Sequence, residues 1–292
     1  MPKNRWLKYT LICISLVLVT VGVAIAILSK STITTNLNLQ NNMITHFIDV
    51  GQGDCILIQV NHKNLLIDSG TSDSKAKVIR YLKNNNVSKL DYVIETHPHD
   101  DHIGGMASII KTFKVDEFYA PKLTASSEHF KEMIMALKSK DLKIKITKPN
   151  ITLDLGPNTV CIMLSPNKTS YKDTNNYSCA IKISYKNSTY LFTGDIQELS
   201  EHEILAKHYN LSADVLKVAH HGSNTSTSQE FLNAVSPKIA VISCGVYNSY
   251  GHPNKVVLDK LKKLNCIIYR TDLDKNIVLI SDGTNITRYG AK

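Results

Sequence analysis

From Met43 onward, short apolar runs alternate with polar turns, and the spacing of the apolar positions separates strands from helices. Strands are predicted at residues 45–50, 55–60 and 64–69, the last two joined by a turn at "NHK". A helical spacing over 74–86 leads into a strand at 91–97. Further helices are predicted at 105–114 and 127–139, with short strands between and after them. The second half repeats this order. Strands are expected at 159–165, 178–184 and 189–194, then a helix at 197–209 and strands at 214–220 and 238–244. A helix at 254–263 and strands at 266–270 and 276–280 close the chain. Two halves that each run from strands to helices predict an α/β (α+β) fold, two packed sheets covered by helices, in one domain over 43–292. No repeat is short enough for a solenoid.

The chain ahead of this domain reads differently. Residues 9–29 carry no charge and are almost wholly apolar, and the run approaches the roughly 20 residues that a helix needs to cross a bilayer. Lys3, Arg5 and Lys8 precede it and only Lys30 follows closely, which orients the N-terminus to the cytoplasm. The expectation is a single-pass membrane protein with its domain on the outer side. "AIA" at 24–26 offers the rival reading, a cleaved signal and a secreted protein. Residues 30–42 are polar and aperiodic, as a tether would be.

This division changes the meaning of the charge. The formal balance is +9, from 34 basic and 25 acidic residues, but residues 1–30 hold four of the basic ones and no acidic one. What remains is compatible with a polyanionic substrate without demanding one. The lysines of 138–148 read as the solvated edge of a sheet. Cys13 lies in the apolar run. Cys55, Cys161, Cys179, Cys244 and Cys266 sit in strand-like runs with no CxxC spacing, and so read as buried small hydrophobes, not a disulfide framework or a zinc site. No obligate protein partner is evident.

One stretch is unlike the rest. Residues 97–105 read "HPHDDHIGG" directly after a buried strand. His97 and His99 are two apart on an extended segment, so their rings share a side, while Asp101 and His102 turn a second pair of ligands toward a neighbouring point. That spacing suits two metal ions a few ångströms apart.

HxHxDH after a strand resembles the signature of the metallo-β-lactamase-fold hydrolases. "FIDVGQGDCILIQ" (47–59), "LLIDSG" (65–70), "LFTGD" (191–195), "LKVAHHGS" (216–223) and "YGHP" (250–253) resemble one branch of that family, the extracellular hydrolase domain of the DNA-uptake competence protein ComEC and its free-standing relatives. The resemblance implies an αββα four-layer sandwich holding two divalent ions, Zn2+ or Mn2+. In it Asp195 bridges both metals, His97 and His99 hold the first, and Asp101, His102 and His221 hold the second. His220 would meet the substrate phosphate or protonate the leaving oxygen, so that Asp101, Asp195 and His220 carry the chemistry. The two histidines of "HHGS", being adjacent, are expected to point different ways.

The chain departs from the wider family in one place. A further histidine for the first metal is missing between His102 and Asp195, where only His129 occurs, and "TNNYS" (174–178) stands in its place. Asn175, Asn176, Ser178 or a water is left to supply an oxygen, which suits the harder ion and admits manganese beside zinc. Asp54 and Asp68 are expected to orient ligands from behind; Asp49 reads equally well as a turn cap. Asn176, Ser178, Ser223 and His252 are the candidate substrate contacts. The implied function is an exported metal-dependent phosphodiesterase, foremost a nuclease, acting on DNA or related diesters through a hydroxide shared by two metals. A single apolar span is too little for a DNA pore, so import of DNA by this chain alone is not expected. The alternatives are a cell-wall phosphorylcholine-type esterase, disfavoured by an aromatic content of 7%, and a binding protein with a decayed site, disfavoured by the near-complete ligand set.

Overall fold

The computed structural model describes residues 41–290; the apolar run at 9–29, nearly all of the tether and Cys13 lie outside the described residues. Among the described residues no helix is long and apolar enough to cross a membrane. Strands β1 (Met43–Phe47), β2 (Ile56–Val60), β3 (Lys63–Ile67), β4 (Lys89–Ile94), β5 (Lys114–Ala120) and β6 (Ile144–Ile146) form most of one sheet. A second contains β7 (Thr152–Leu153), β8 (Thr159–Met163), β9 (Ile181–Tyr185), β10 (Ser188–Phe192), β11 (Val215–Lys217), β12 (Ile239–Ile242) and β13 (Ile267–Arg270). The chain then returns with β14 (Ile277–Ser281) and β15 (Ile286–Arg288) to give the first sheet the order β15-β14-β1-β2-β3-β4-β5-β6.

The layers follow from side-chain alternation. In β2, Ile56 and Ile58 enter the core between the sheets while Leu57 faces the opposite way. In β10, Tyr190 and Phe192 face inward and Leu191 outward. Strands apolar at every position are thus buried on both faces. The outer face of the first sheet is covered by α1 (Lys75–Asn84), α3 (Met106–Thr112) and α4 (Glu128–Ser139), through Val78, Leu82, Met106, Ile109 and Met133. The outer face of the second is covered by α5 (Glu198–Leu205), α6 (Gln229–Val235) and α7 (Lys255–Lys263), through Ile204, Phe231, Leu232, Val257 and Leu261. Two short helices, α2 (Asp100–Ile103) and α8 (Thr271–Asp274), complete the set. The core order is therefore helix, sheet, sheet, helix.

Strands β3 to β6 run parallel, as do β10 to β13, and carboxyl ends of parallel strands are where open sheets present ligands. Four strands stop short of their expected ends: β3 at Ile67, β4 at Ile94, β10 at Phe192 and β11 at Lys217. The residues just past each end are Asp68, His97, Asp195 and His220. The ladder breaks where the chain must turn its polar side chains into the cleft. The lysine-rich stretch at 138–148 contains β6, an edge strand, and the five described cysteines are free thiols.

Candidate metal centre

The loop "HPHDDHIGG" is clamped from two sides. Asp54 N–H donates to Asp101 O at 3.2 Å, and a Cβ on Gly53 would lie 2.2 Å from that same oxygen, so only glycine lets the 50–54 turn close on it. On the far side a Cβ on Gly104 would lie 2.4 Å from Ser72 N.

Four donor atoms converge at the base of the loop. His102 Nε2 and His221 Nε2 each lie 3.3 Å from Asp195 Oδ2, His221 Nε2 lies 3.3 Å from Asp101 Oδ2, and His102 Nε2 lies 3.9 Å from Asp101 Oδ2. Ligands at about 2.0–2.1 Å from a tetrahedral ion stand about 3.3 Å apart, so these residues fit a divalent cation without rearrangement. His102 Nε2, His221 Nε2 and Asp195 Oδ1 are buried and have no hydrogen-bond partner, the condition of ligand atoms awaiting an ion.

A second group adjoins the first through the same carboxylate. His97 Nε2 lies 3.9 Å from Asp195 Oδ2 and 3.0 Å from His99 Nδ1. Of the three oxygens that "TNNYS" offered, the fold selects one for the cleft. Asn175 lines it, with a buried, unpartnered Oδ1. Asn176 instead binds Gln197 and Ser200 through its amide. Ser178 is fully buried behind the ligands, its Oγ 3.2 Å from His97 Nδ1 and accepting from Asp195 N–H at 3.1 Å. Neither Asn176 nor Ser178 lines the cleft, which corrects the expectation that they are substrate contacts: their side chains are taken by Gln197, Ser200 and His97.

Behind His102 and His221 stands a partner that fixes the position of each ring. Asp68 Oδ2 lies 2.8 Å from His102 Nδ1, and Ser243 O accepts from His221 Nδ1 at 2.9 Å, which leaves each Nε2 as the atom that would bind an ion once deprotonated. Asp54 touches the centre more loosely, with Oδ1 3.7 Å from His221 Nδ1 and Oδ2 2.9 Å from Lys217 Nζ. Asp49 is the turn cap for Gly51 N–H and pairs with Lys77 at the surface.

The two histidines of "HHGS" do not diverge. His220 Nε2 comes within 3.8 Å of Asp195 Oδ2 beside the 3.3 Å approach of His221. Both residues have left-handed backbones, φ 50 and 54, which bend the chain so that neighbouring side chains reach one point. Such conformations cost about 1–3 kcal/mol each in non-glycine residues, strain that is characteristic of functional positions. Ser223 is turned away from the cleft: its Oγ meets Thr225 Oγ1 at 2.9 Å, and Thr225 in turn holds His220 Nδ1 at 3.2 Å. Its side chain does not line the cleft and reaches His220 only through Thr225. His252 does line the cleft.

A model of the metallo-β-lactamase superfamily matches residues 48–246. The chain belongs to that superfamily. ComE operon protein 3 of Bacillus subtilis is 31% identical to it over 248 residues, 79% of this chain and 32% of the relative. Competence protein ComA of Neisseria gonorrhoeae is 31% identical over 229 residues, 77% of this chain and 30% of the relative. This is the ComEC-like branch, and the chain spans about a third of the length of these curated relatives. The metallo-β-lactamase-fold protein YhfI from Bacillus subtilis shares the fold, with a TM-score of 0.54 at 14% identity over 82% of this chain and 99% of that one. Family and ligand clusters together make this a metal-dependent hydrolase with a divalent-cation centre.

The superfamily centre binds protons where it would bind cations. Burial opposes charge on His102, but Asp195, Asp68 and Asp101 outweigh it and hold its pKa well above the ordinary value. His221, likewise buried, is raised to about 10, chiefly by Asp195. Both pKa values are raised, so both rings are protonated in the metal-free protein at pH 7, and both must lose that proton to bind an ion. Adding zinc to metal-free protein in weak buffer at pH 7 is therefore expected to release about two protons per chain, read by pH-stat titration. Metal affinity should fall as the pH is lowered. No proton release would show that the two rings are not ligands.

Lys217 was not singled out from sequence. A lysine in the middle of "DVLKVAH" carried the signal, since a charge within a buried strand needs a counter-charge. Tyr250 and Gln52, which line the cleft with the ligands, were not singled out either, although both lie within the quoted motifs "YGHP" and "FIDVGQGDCILIQ".

Proposed function

We propose that this chain is a metal-dependent phosphodiesterase, foremost a nuclease acting on DNA or a related polymer. The observation that carries the reading is one carboxylate oxygen, Asp195 Oδ2, lying 3.3–3.9 Å from His102, His221 and His97 together. His102, His221, Asp101 and Asp195 would hold one cation. His97, His99 and Asp195 would hold the other with an oxygen from Asn175 at the cleft wall, and the oxygen share of that second set would favour manganese or zinc. Two bound cations supply Lewis acidity and lower the pKa of water.

The chain's own groups do the rest. His220 faces the cleft, and its burial depresses its pKa, so the ring is neutral at pH 7. With Nδ1 engaged by the Thr225 hydroxyl at 3.2 Å, Nε2 is the atom left to meet a phosphate oxygen, and in its protonated form it would donate to it. The competence proteins among its relatives support a nucleic-acid polymer as substrate. The apolar run at 9–29 supports a membrane-anchored domain on the outer side of the cell, or a secreted one after cleavage.

Incubation of the protein with bis(p-nitrophenyl) phosphate, single-stranded DNA and double-stranded DNA, each with zinc or manganese added singly, tests the reading. Hydrolysis of at least the small diester is expected; none with either metal overturns it. His221→Ala is expected to lose metal and activity together. His220→Ala should keep its metal and lose turnover by roughly 10²–10⁴. Metal loss in His220→Ala instead would exchange the two roles.

A further inference from the structure

One wall of the cleft is aromatic and takes no part in holding metal. Tyr250 and His252 stand at the mouth with ring centroids 5.7 Å apart and planes within 21° of parallel. His252 lies in turn 6.4 Å from His221 with planes 29° apart. A stack of three rings thus runs outward from a ligand histidine. Its last member, Tyr250, is 69% exposed, and its hydroxyl makes no hydrogen bond among the described residues. The ring contributes nothing evident to the core.

The loop that carries it is nevertheless held firmly. Asn248 Nδ2 donates to Gly245 O at 2.9 Å and to His252 O at 2.6 Å, and Asn248 Oδ1 accepts from His252 N–H at 2.9 Å. Gly245 N–H donates to Gln52 Oε1 at 3.1 Å, which ties the loop to the opposite rim. Pro253 packs so closely on Gly222 that a Cβ there would lie 2.6 Å away. An exposed aromatic ring on a pre-ordered loop is a binding surface formed before its ligand arrives.

We propose that Tyr250, backed by His252, is a stacking platform for an unpaired nucleobase flanking the scissile phosphate. This rests on the phosphodiesterase reading and specifies its substrate as a nucleic-acid strand with exposed bases. A flat ring whose inner face is already stacked offers its outer face to another flat ring, and every base has one. A quaternary ammonium wants several aromatic faces around it. Tyr250 and His252 are near parallel, and no other tyrosine, phenylalanine or tryptophan among the described residues lines the cleft. Within a duplex both faces of a base are covered, so the base that stacks here comes from a single strand or an opened one.

The test compares a single-stranded oligothymidylate with an abasic phosphodiester chain of equal length, using wild type, Tyr250→Ala and Tyr250→Phe with manganese. Wild type is expected to cleave the base-bearing strand with kcat/KM roughly tenfold to a hundredfold above the abasic one, mostly through KM. Tyr250→Ala should erase that ratio and Tyr250→Phe should keep it. Equal cleavage of both strands by wild type, or an equal loss on both in Tyr250→Ala, overturns the platform. Hydrolysis of bis(p-nitrophenyl) phosphate or a choline phosphodiester but of neither strand also overturns it, and leaves the phosphodiesterase reading standing. If no diester is hydrolysed, that reading fails, and the platform is judged by binding of a 2-aminopurine-labelled strand: quenching in wild type lost in Tyr250→Ala supports it, and no quenching refutes it.

Discussion

Asp195→Asn is expected to fold normally, to bind clearly fewer than two metal ions per chain, and to lose phosphodiesterase activity with every metal tested. The carboxylate stands at the meeting point of both ligand groups, and its two neighbours His102 and His221 together hold its pKa well below the ordinary range against the effect of burial. A charge between two cations offsets their repulsion, so its removal weakens both positions at once. Asparagine keeps the shape but has one acceptor oxygen and no charge. Changing a partner behind a metal ligand already costs about 10–100-fold, so loss of the shared ligand should exceed about 100-fold in activity. Elemental analysis and turnover on the same preparation check both halves of this expectation. Asp259→Asn, on the outer surface of α7, is the control. Asp173 is unsuitable for that purpose, because its side chain caps Asn175 N–H at 2.9 Å and so shapes the cleft wall. Full activity in Asp195→Asn would sink the shared-carboxylate mechanism.

Lys217→Met is expected to destabilise the fold by about 3–5 kcal/mol, the cost of leaving one partner of a buried ion pair behind. Lys217 is fully buried and its ammonium has two partners, Asp54 Oδ2 at 2.9 Å and Val218 O at 2.9 Å. Without the lysine, Asp54 would lose its 2.9 Å counter-charge and keep only the more distant His221 ring, at 3.7 Å, while sharing that ring with Asp195 and Asp101. Urea unfolding of the metal-free protein measures the loss. Lys217→Met with Asp54→Asn should recover part of it, because the uncompensated charge has gone. A single-variant loss under about 1 kcal/mol would mean that the pair is solvated or dispensable, contrary to its burial.

Much of the architecture was legible because burial on both faces leaves a strong mark. Runs such as "CILIQV" and "TYLFTG" are apolar at successive positions, which only a strand between two layers tolerates. The ends of those runs were less legible. Periodicity does not register where a ladder stops, so the strands ending at Ile67, Ile94, Phe192 and Lys217 were expected to run on into the site.

The ligand types were local information. His97, His99, Asp101 and His102 fall within one turn of chain, so composition and spacing marked them as one chemistry; Asp68 and Asp195 joined them only through the resemblance of "LLIDSG" and "LFTGD" to the family motifs. What the chain could not reveal by itself depended on backbone direction and on distant partners. Two consecutive left-handed residues bring His220 and His221 to one carboxylate, and nothing in "HHGS" encodes a positive φ at a histidine. Among Asn175, Asn176 and Ser178, three polar residues within four positions, the choice of which one lines the cleft was made by Gln197, Ser200 and His97, which claim the other two. Lys217 acquired its role from Asp54, far away in sequence, and Tyr250 from a loop tied across the cleft to Gln52. Residue type and period set the elements and the chemistry; closure of distant loops onto one another set which atoms face the ion and which hold them there.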